Sequence, residues 1–432
     1  MRKQLKIKIN NLTLTNNSNE ATKDHTFVVS KHNKQYVQSA KDNGCENFID
    51  SSELKDHFDF SSIKIIGITG TNGKTTTAAA IYSTLLDLGE KVALQGTRGF
   101  FINDERVEDY SLTTPVQLNN FEHIYEAIQN GCKYFVMEVS SHAIDQDRIE
   151  GLDFALKILT NITQDHLDYH KTIEEYINIK NSFFMDESVK LINKDEEKAK
   201  YNAKNGYSYG LENPSTYKVG AYSFQNGTHV MLQKIQENFS FSSDLMGIFN
   251  IYNLTAAVAA VDILSDHPMD KICEAIENFA GVAGRMEMVS IDPLVIVDFA
   301  HTPDGMQKIY ESFNHKDIIT VFGAGGDRDR NKRPKMGALA ERFAKHIIVT
   351  SDNPRFEDPD QIINDILKGI KNKSNVLVEI NRREAIKKAL ELVSDDTVLL
   401  ILGKGDETTQ IIYDQKMPFD DRVVVAHLLP SI

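Results

Sequence analysis

Residues 67–77 read GITGTNGKTTT. Glycines let backbone N–H groups approach a phosphate, and a helix starting just after them adds partial positive charge. Lys74 is then placed to reach the β- and γ-phosphates of a nucleotide, and the hydroxyl of Thr75 to ligate Mg²⁺. Gly70, Thr71, Asn72, Gly73 and Thr76 complete the loop. The strict phosphate-loop pattern wants a glycine five places before Gly73, where Ile68 stands. The loop therefore implies nucleotide chemistry but leaves the reaction open. Downstream, Glu138 in MEVSSH and His166 in QDHLDYH offer a carboxylate and an imidazole near strand ends, a pair able to hold a second Mg²⁺. Taken singly, His166 reads equally well as a cap or surface histidine beside Asp165 and Asp168.

These groups need a scaffold, and the hydrophobic pattern supplies an α/β one. The β-branched run IKIIGIT leads into the loop, a helix follows from about Lys74 to Leu88 with Gly89 as its stop, and KVALQG reads as the next strand. KYFVMEV and FALKILTNI are further strands ending in polar residues, as in a parallel sheet with its site at the carboxyl ends. Residues 217–246 alternate around an Asn-Gly turn and predict an antiparallel meander, which a helix containing NLTAAVAAVDIL follows. A second alternation through LVIVDFA, DIITVFGAGG, HIIVTSD and TVLLILGKG predicts a separate Rossmann-like unit. At the start, HTFVVS and YVQSAKDNGCENFID predict a strand, a short helix and a strand, with a further strand at LKIKI. The expected organisation is a small N-terminal αβ unit (1–60), a central phosphate-loop domain with a mostly parallel sheet and the meander (61–281), and a C-terminal domain (282–432).

Length and charge bound the partners. A chain of 432 residues exceeds one usual core, which fits three domains. With 48 basic and 62 acidic residues the net charge is −14, which repels nucleic acid and leaves anionic ligands dependent on local cations. Cys45, Cys132 and Cys273 have no CxxC spacing and read as buried thiols. With neither a signal-like segment nor a long apolar run, the expectation is a cytoplasmic protein without membrane contact.

The loop GTNGKTT, with LTTP, MEVSSHAIDQDR, TNITQDHLDYH, YINIKNSFF, GIFNIYNLTAA, GRME, VDFAHTPDG, GAGGDRDRNKRP, DNPR and GKGDE in that order, resembles the Mur ligases, specifically their peptidoglycan branch. The resemblance runs over about residues 61–432. It implies an ATP-dependent, Mg²⁺-requiring, monomeric ligase whose substrates are small molecules: ATP, UDP-MurNAc-L-Ala-D-Glu and meso-diaminopimelate. Amide formation from a carboxylate would proceed through an acyl phosphate, a step that needs cations between two anions.

The resemblance also implies roles by position. Lys180 would react with CO₂ to a carbamate and become an oxygen ligand of the second metal, with Glu138 and His166. Arg285 of GRME, Asp298 and His301 of DFAH, and Asn250 would close on the nucleotide through a domain movement. Thr113, Thr114, Ser140 and Arg148 would meet the sugar and dipeptide. Arg328, Asp352, Asn353, Arg355, Gly403 and Glu407 would form the amino-acid pocket. There the chemistry is specific: beside the distal ammonium that lysine shares, diaminopimelate carries a carboxylate that lysine lacks, and Arg355 can fork that carboxylate while Asp352, Asn353 and Glu407 accept from the ammonium.

Two features depart from the family pattern. The stretch before the loop is short and lacks a DSR-type segment that helps form a uridine pocket. Asp406 stands where the family commonly has histidine. The competing readings are a lysine-adding ligase, disfavoured by Arg355, a folylpolyglutamate synthetase-like ligase, disfavoured by HLDYH with DNPR, and a nucleotide switch without an amino-acid pocket. GAGGDRDR is not a dinucleotide fingerprint, because its third glycine would fall on Arg328.

Overall fold

A computed structural model of the chain describes residues 7–9, 12–109, 112–225 and 227–429. Its strands fall into three main sheets that follow one another along the sequence. The first has four strands, Ile7–Ile9, Leu12–Thr15, Thr26–Val29 and Asn47–Asp50, the last two flanking a short helix Val37–Asp42. Leu5 and Lys6 of the expected first strand lie outside the described residues. Leu12–Thr15 was not expected, its polar neighbours having masked it.

The central sheet has eleven strands. Its middle is parallel, with Lys64–Thr69 between Phe154–Leu159 and Tyr134–Glu138, and Val92–Gly96 next along. One flank ends in the predicted meander, Tyr217–Ser223, Thr228–Lys234 and Glu237–Ser243; Asn226 of its expected turn lies outside the described residues. The second turn of the meander is built on Ile235 at φ 58°, a conformation a β-branched residue seldom takes. The other flank is an unpredicted hairpin, Gly99–Ile102 with Glu105–Glu108. Glu105, Arg106 and Glu108 line that outer strand, whereas Glu237–Ser243 at the opposite edge is covered by helix Met269–Glu277, with Ser242 N–H bonded to Glu277 at 2.7 Å.

Helix Lys74–Asp87 packs on Ile248–Leu264. Ala78 and Ala80 on one and Ala256, Ala257, Ala259 and Ala260 on the other are wholly buried, and small side chains at both faces let the backbones approach. This pair stiffens the element that the phosphate loop opens.

The last sheet runs in the order Glu287–Ser290, Val295–Asp298, Thr397–Leu402, Asp317–Phe322, Ala344–Val349, Val376–Val378, parallel except at its first pair. The chain order reverses beside Thr397–Leu402, and a crevice forms at the carboxyl ends of the strands there. A hairpin, Thr409–Ile412 with Gln415–Pro418, and a final helix, Asp421–Leu428, complete the described residues.

Candidate active site

The loop is pinned from the strand beside it. Thr71 N–H donates to Asn161 O at 2.8 Å and Asn72 N–H to Asn161 Oδ1 at 2.9 Å, while Thr160 Oγ1 donates to Asn72 O at 2.7 Å. Gly70 has φ +153°, and a Cβ there would lie 1.9 Å from Thr160 Oγ1; Gly73 has φ +85°, and a Cβ would meet Asn253 Oδ1 at 2.3 Å. Ile68 is an ordinary, fully buried strand residue. The displaced glycine has a local cause: the close approach to the neighbouring strand occurs at position 70.

Lys74 Nζ donates to Gly70 O and Thr71 O at 2.8 and 2.9 Å, and burial lowers its pKa against the pull of Glu138 and Asp165. Thr75 Oγ1 donates to Glu138 Oε2 at 2.9 Å, and Thr97 N–H to Oε1 at 2.9 Å. Glu138 ends its strand and is 2% exposed. A hydroxyl and a carboxylate facing each other are hard oxygen donors, the set Mg²⁺ prefers. Thr97 was not foreseen, since a backbone donor leaves no side-chain signature.

The other two metal candidates have partners of their own. Lys180, on helix Ile173–Ser182, lies behind the loop and donates to Gly70 O at 2.9 Å and Thr69 Oγ1 at 3.3 Å. Burial, with Lys74 nearby, holds its pKa well below the ordinary lysine value. His166 lies seven residues past its strand at φ 53°, against Asp165 at 3.4 Å and edge-on to His142 at 4.9 Å, and burial pushes its pKa down to about 4. Among the described residues no three His, Cys, Asp and Glu side chains converge as a metal cage.

Across the cleft, Asp298 accepts from the N–H groups of Met286 and Ala300 at 2.7 and 2.6 Å, and burial raises its pKa against the field of Arg285. The Arg285 guanidinium rests 4.2 Å over the Phe299 ring. The His301 Nδ1 is 2.9 Å from Phe299 O, and burial lowers its pKa to about 4. Asn250 donates to Met246 O and accepts from Asn253. One bridge joins the halves directly: Asp304 Oδ2 accepts from Asn72 of the loop at 2.7 Å, from Thr163 at 3.1 Å and from its own helix's Lys308 at 2.9 Å. Another is the Arg98–Asp406 pair at 3.6 Å, which gives the unusual acid of GKGDE a partner.

The DNPR segment folds over the carboxyl ends of the last sheet. Arg355, at φ 51°, spends Nη1 on Gly326 O at 2.9 Å and lines the cleft; Arg328 lines it too, with Nη1 3.2 Å from Asp327 O. Asn353 differs from expectation. Its Oδ1 takes Ile411 N–H at 2.9 Å and Lys404 Nζ at 3.2 Å, and its Nδ2 donates to Glu407 at 2.7 Å. Its acceptor is already occupied, so Asn353 aligns Glu407. Lys404, fully buried and unforeseen, also holds Glu407 at 2.8 Å and Thr409 O at 2.8 Å.

Thr114 and Arg148 are tied to each other through Arg148 Nη1 and Thr114 O at 2.7 Å, and Thr114 Oγ1 receives Ser140 N–H at 2.9 Å. Thr113 Oγ1 is 3.1 Å from Thr97 Oγ1. Of these four, Thr113 lines the cleft. That cleft, about 1550 Å³, is walled by Lys74, Thr75, Glu138 and His166 on one side and by Arg285, Asp298, His301, Asp352, Arg355, Gly403 and Glu407 on the other.

The description "Mur ligase middle domain" matches residues 68–261, and "Mur ligase, glutamate ligase domain" matches residues 284–405. The chain belongs to the Mur ligase family, whose members are ATP-dependent ligases forming amide bonds. A Wolinella succinogenes protein is 55% identical over 419 residues, covering 97% of this chain and 96% of its own, and one from Helicobacter pylori strain J99 is 51% identical, covering 95% and 94%. Both are named UDP-N-acetylmuramoyl-L-alanyl-D-glutamate--2,6-diaminopimelate ligase. A solved structure of that name aligns over 97% of this chain and 94% of its own at 29% identity, with TM-score 0.69. A Mycobacterium tuberculosis folylpolyglutamate synthase, 18% identical with TM-score 0.65 and coverage of 80% and 89%, shares the fold.

Proposed function

We propose that the protein joins meso-diaminopimelate to UDP-N-acetylmuramoyl-L-alanyl-D-glutamate at the expense of ATP, in the cytoplasm and as a monomer. The observation that carries this is the single cleft with phosphate-binding residues on one wall and, on the other, a forked cation, Arg355, beside two carboxylates, Asp352 and Glu407. The domain bounds proposed with this reading are 1–60, 61–281 and 282–432, and the three main sheets following one another along the chain support such a division.

In the first step a carboxylate oxygen of the D-Glu stem attacks the γ-phosphorus and the bond to ADP breaks, giving an acyl phosphate. In the second, the amine of diaminopimelate attacks the acyl carbon, phosphate leaves and the nitrogen loses a proton. Lys74 and Arg285 stabilise charge on the transferring group, and the loop N–H groups orient it. Asp298, His301 and Asn250 close around the nucleotide, and Thr113, Thr114, Ser140 and Arg148 shape the dipeptide side. Thr75 would hold one Mg²⁺, and Glu138 and His166, with Lys180 as its carbamate, would hold a second; such ions would offset the repulsion between carboxylate and phosphate. The depressed pKa of Lys180 keeps a share of neutral amine, the form that takes up CO₂ as a carbamate with release of a proton. Arg328 and Gly403 complete the amino-acid pocket.

An amino-acid panel with the UDP-linked dipeptide and Mg-ATP, read by product mass, tests the reading. The diaminopimelate adduct is expected; a lysine adduct instead would favour the lysine-adding alternative, and phosphate release without any adduct would reject both.

A further inference from the structure

Beneath the amino-acid pocket two buried polar atoms face each other without hydrogen-bond partners: Asp352 Oδ2 and Arg382 Nη1, 4.0 Å apart. Arg382 opens helix Arg382–Leu390 and its side chain is fully buried. Its other nitrogens are used. Nε and Nη2 grip Asp421 at 2.8 and 2.7 Å, and Nη2 also donates to Leu402 O at 3.0 Å, the last residue before Gly403. One guanidinium thus fastens the ends of two helices and a strand under the pocket floor. Opposite, Asp352 Oδ2 presses on Gly403, where a Cβ would come within 2.6 Å.

A buried carboxylate oxygen with no donor is costly unless a cation stands in reach. Arg355 and Lys332 also feel the charge of Asp352, but both border the open cleft, where substrate and phosphate compete for them. Arg382 faces it from the sealed side. It is one positive charge between two carboxylates, so the group of three keeps one net negative charge, directed at the cleft.

We propose that Arg382 is a positioning residue for the amino-acid substrate, holding the Asp352 carboxylate aimed so that it can accept from the substrate's ammonium. This rests on the pocket assignment above. Without Arg382, Asp352 and Asp421 would be two buried carboxylates with no shared counter-charge.

The test is a double-mutant cycle on the full chain. Arg382→Met is expected to raise KM for diaminopimelate at least about tenfold, with kcat and the KM values for ATP and the UDP-linked dipeptide within about twofold. Asp352→Asn should raise the same KM, and adding Arg382→Met to it should raise it little further. Replacing a buried ion pair by apolar groups often preserves the fold. Arg382→Met/Asp421→Leu should therefore fold and keep the raised KM even if the single variant does not fold. Full additivity of Arg382→Met on the Asp352→Asn background, or a normal KM in Arg382→Met/Asp421→Leu, overturns the proposal. The cycle is run with whichever amino acid the wild type accepts, so failure of the substrate reading shows in the wild type and failure of this inference in the variants.

Discussion

The two walls of the cleft are built by different means. At the phosphate wall, backbone groups do most of the holding: Gly70 and Thr71 carbonyls receive Lys74, and backbone N–H groups of Thr97, Thr71 and Asn72 fix Glu138 and the loop. At the amino-acid wall the holding is largely between side chains far apart in sequence, Asn353 with Lys404 and Glu407, and Arg382 with Asp421. A backbone-built wall tolerates side-chain change except where a side chain does chemistry. A wall of linked side chains passes a change from one member to the next.

The sharpest test of that contrast is Lys74→Ala. It should cut phosphate release by about a hundredfold or more while leaving KM for diaminopimelate unmoved, because the γ-phosphate loses its cation while the bonds of Thr71 and Asn72 to Asn161 still pin the loop. Near-normal turnover in a folded variant would break the comparison at its first wall. Lys180→Ala should be almost as inactive if the carbamate forms, and acetate should restore part of the activity by filling the vacated space. Full activity of a CO₂-depleted enzyme shown by mass to carry the free amine would remove that role.

On the other wall, Arg355→Ala should raise KM for diaminopimelate by about thirtyfold or more, the equivalent of about 2 kcal/mol, with ATP constants within a few-fold. Arg355→Lys should recover little, since an ammonium lacks the planar fork. Smaller still is the effect expected for the bridge between the walls. Asp304→Ala removes the acceptor of Asn72 and Thr163 and should raise KM for ATP about fivefold, the equivalent of about 1 kcal/mol for the two bonds together.

The smallest effect concerns acid stability. His301 has an ordinary pKa of 6.5 unfolded and about 4 in the fold, so the unfolded chain binds the proton more readily. Its contribution is fully present above pH 6.5 and is lost as the pH falls toward 4. His301→Gln should lessen the drop in Tm between those values, by about a degree or two for a chain of this size. An unchanged acid limb would place the titration elsewhere.

The same contrast explains what could be read from the sequence. The strand, loop and helix around Lys74 obey short-range rules, glycine spacing and apolar period, and residues 64–87 fold as expected. Four of the six strands of the last sheet were equally visible as apolar runs ending in polar residues, whereas the short Glu287–Ser290 and Val376–Val378 were not. Hidden were the hairpin Gly99–Ile102 with Glu105–Glu108, whose short outer strand is mostly charged, and helix Met269–Glu277, which followed too soon after another helix to stand out. In the site, Arg355 was legible because its chemistry matches a ligand. Lys404, Arg382 and Asp421 were not, because their meaning lies in partners dozens of residues away or on another element, which no local spacing records.

The edges of the central sheet bear on how the protein behaves when crowded. An open sheet of eleven strands has two free margins, and a bare margin is a template on which a second copy can add strands. Here the Glu105–Glu108 margin carries Glu105, Arg106 and Glu108, so a neighbouring copy would have to bury those charged side chains along with its own. The Glu237–Ser243 margin lies under Met269–Glu277, whose Glu277 already takes the Ser242 N–H. One end of the sheet is thereby guarded by charge and the other, around Ser242, by the helix that takes its N–H.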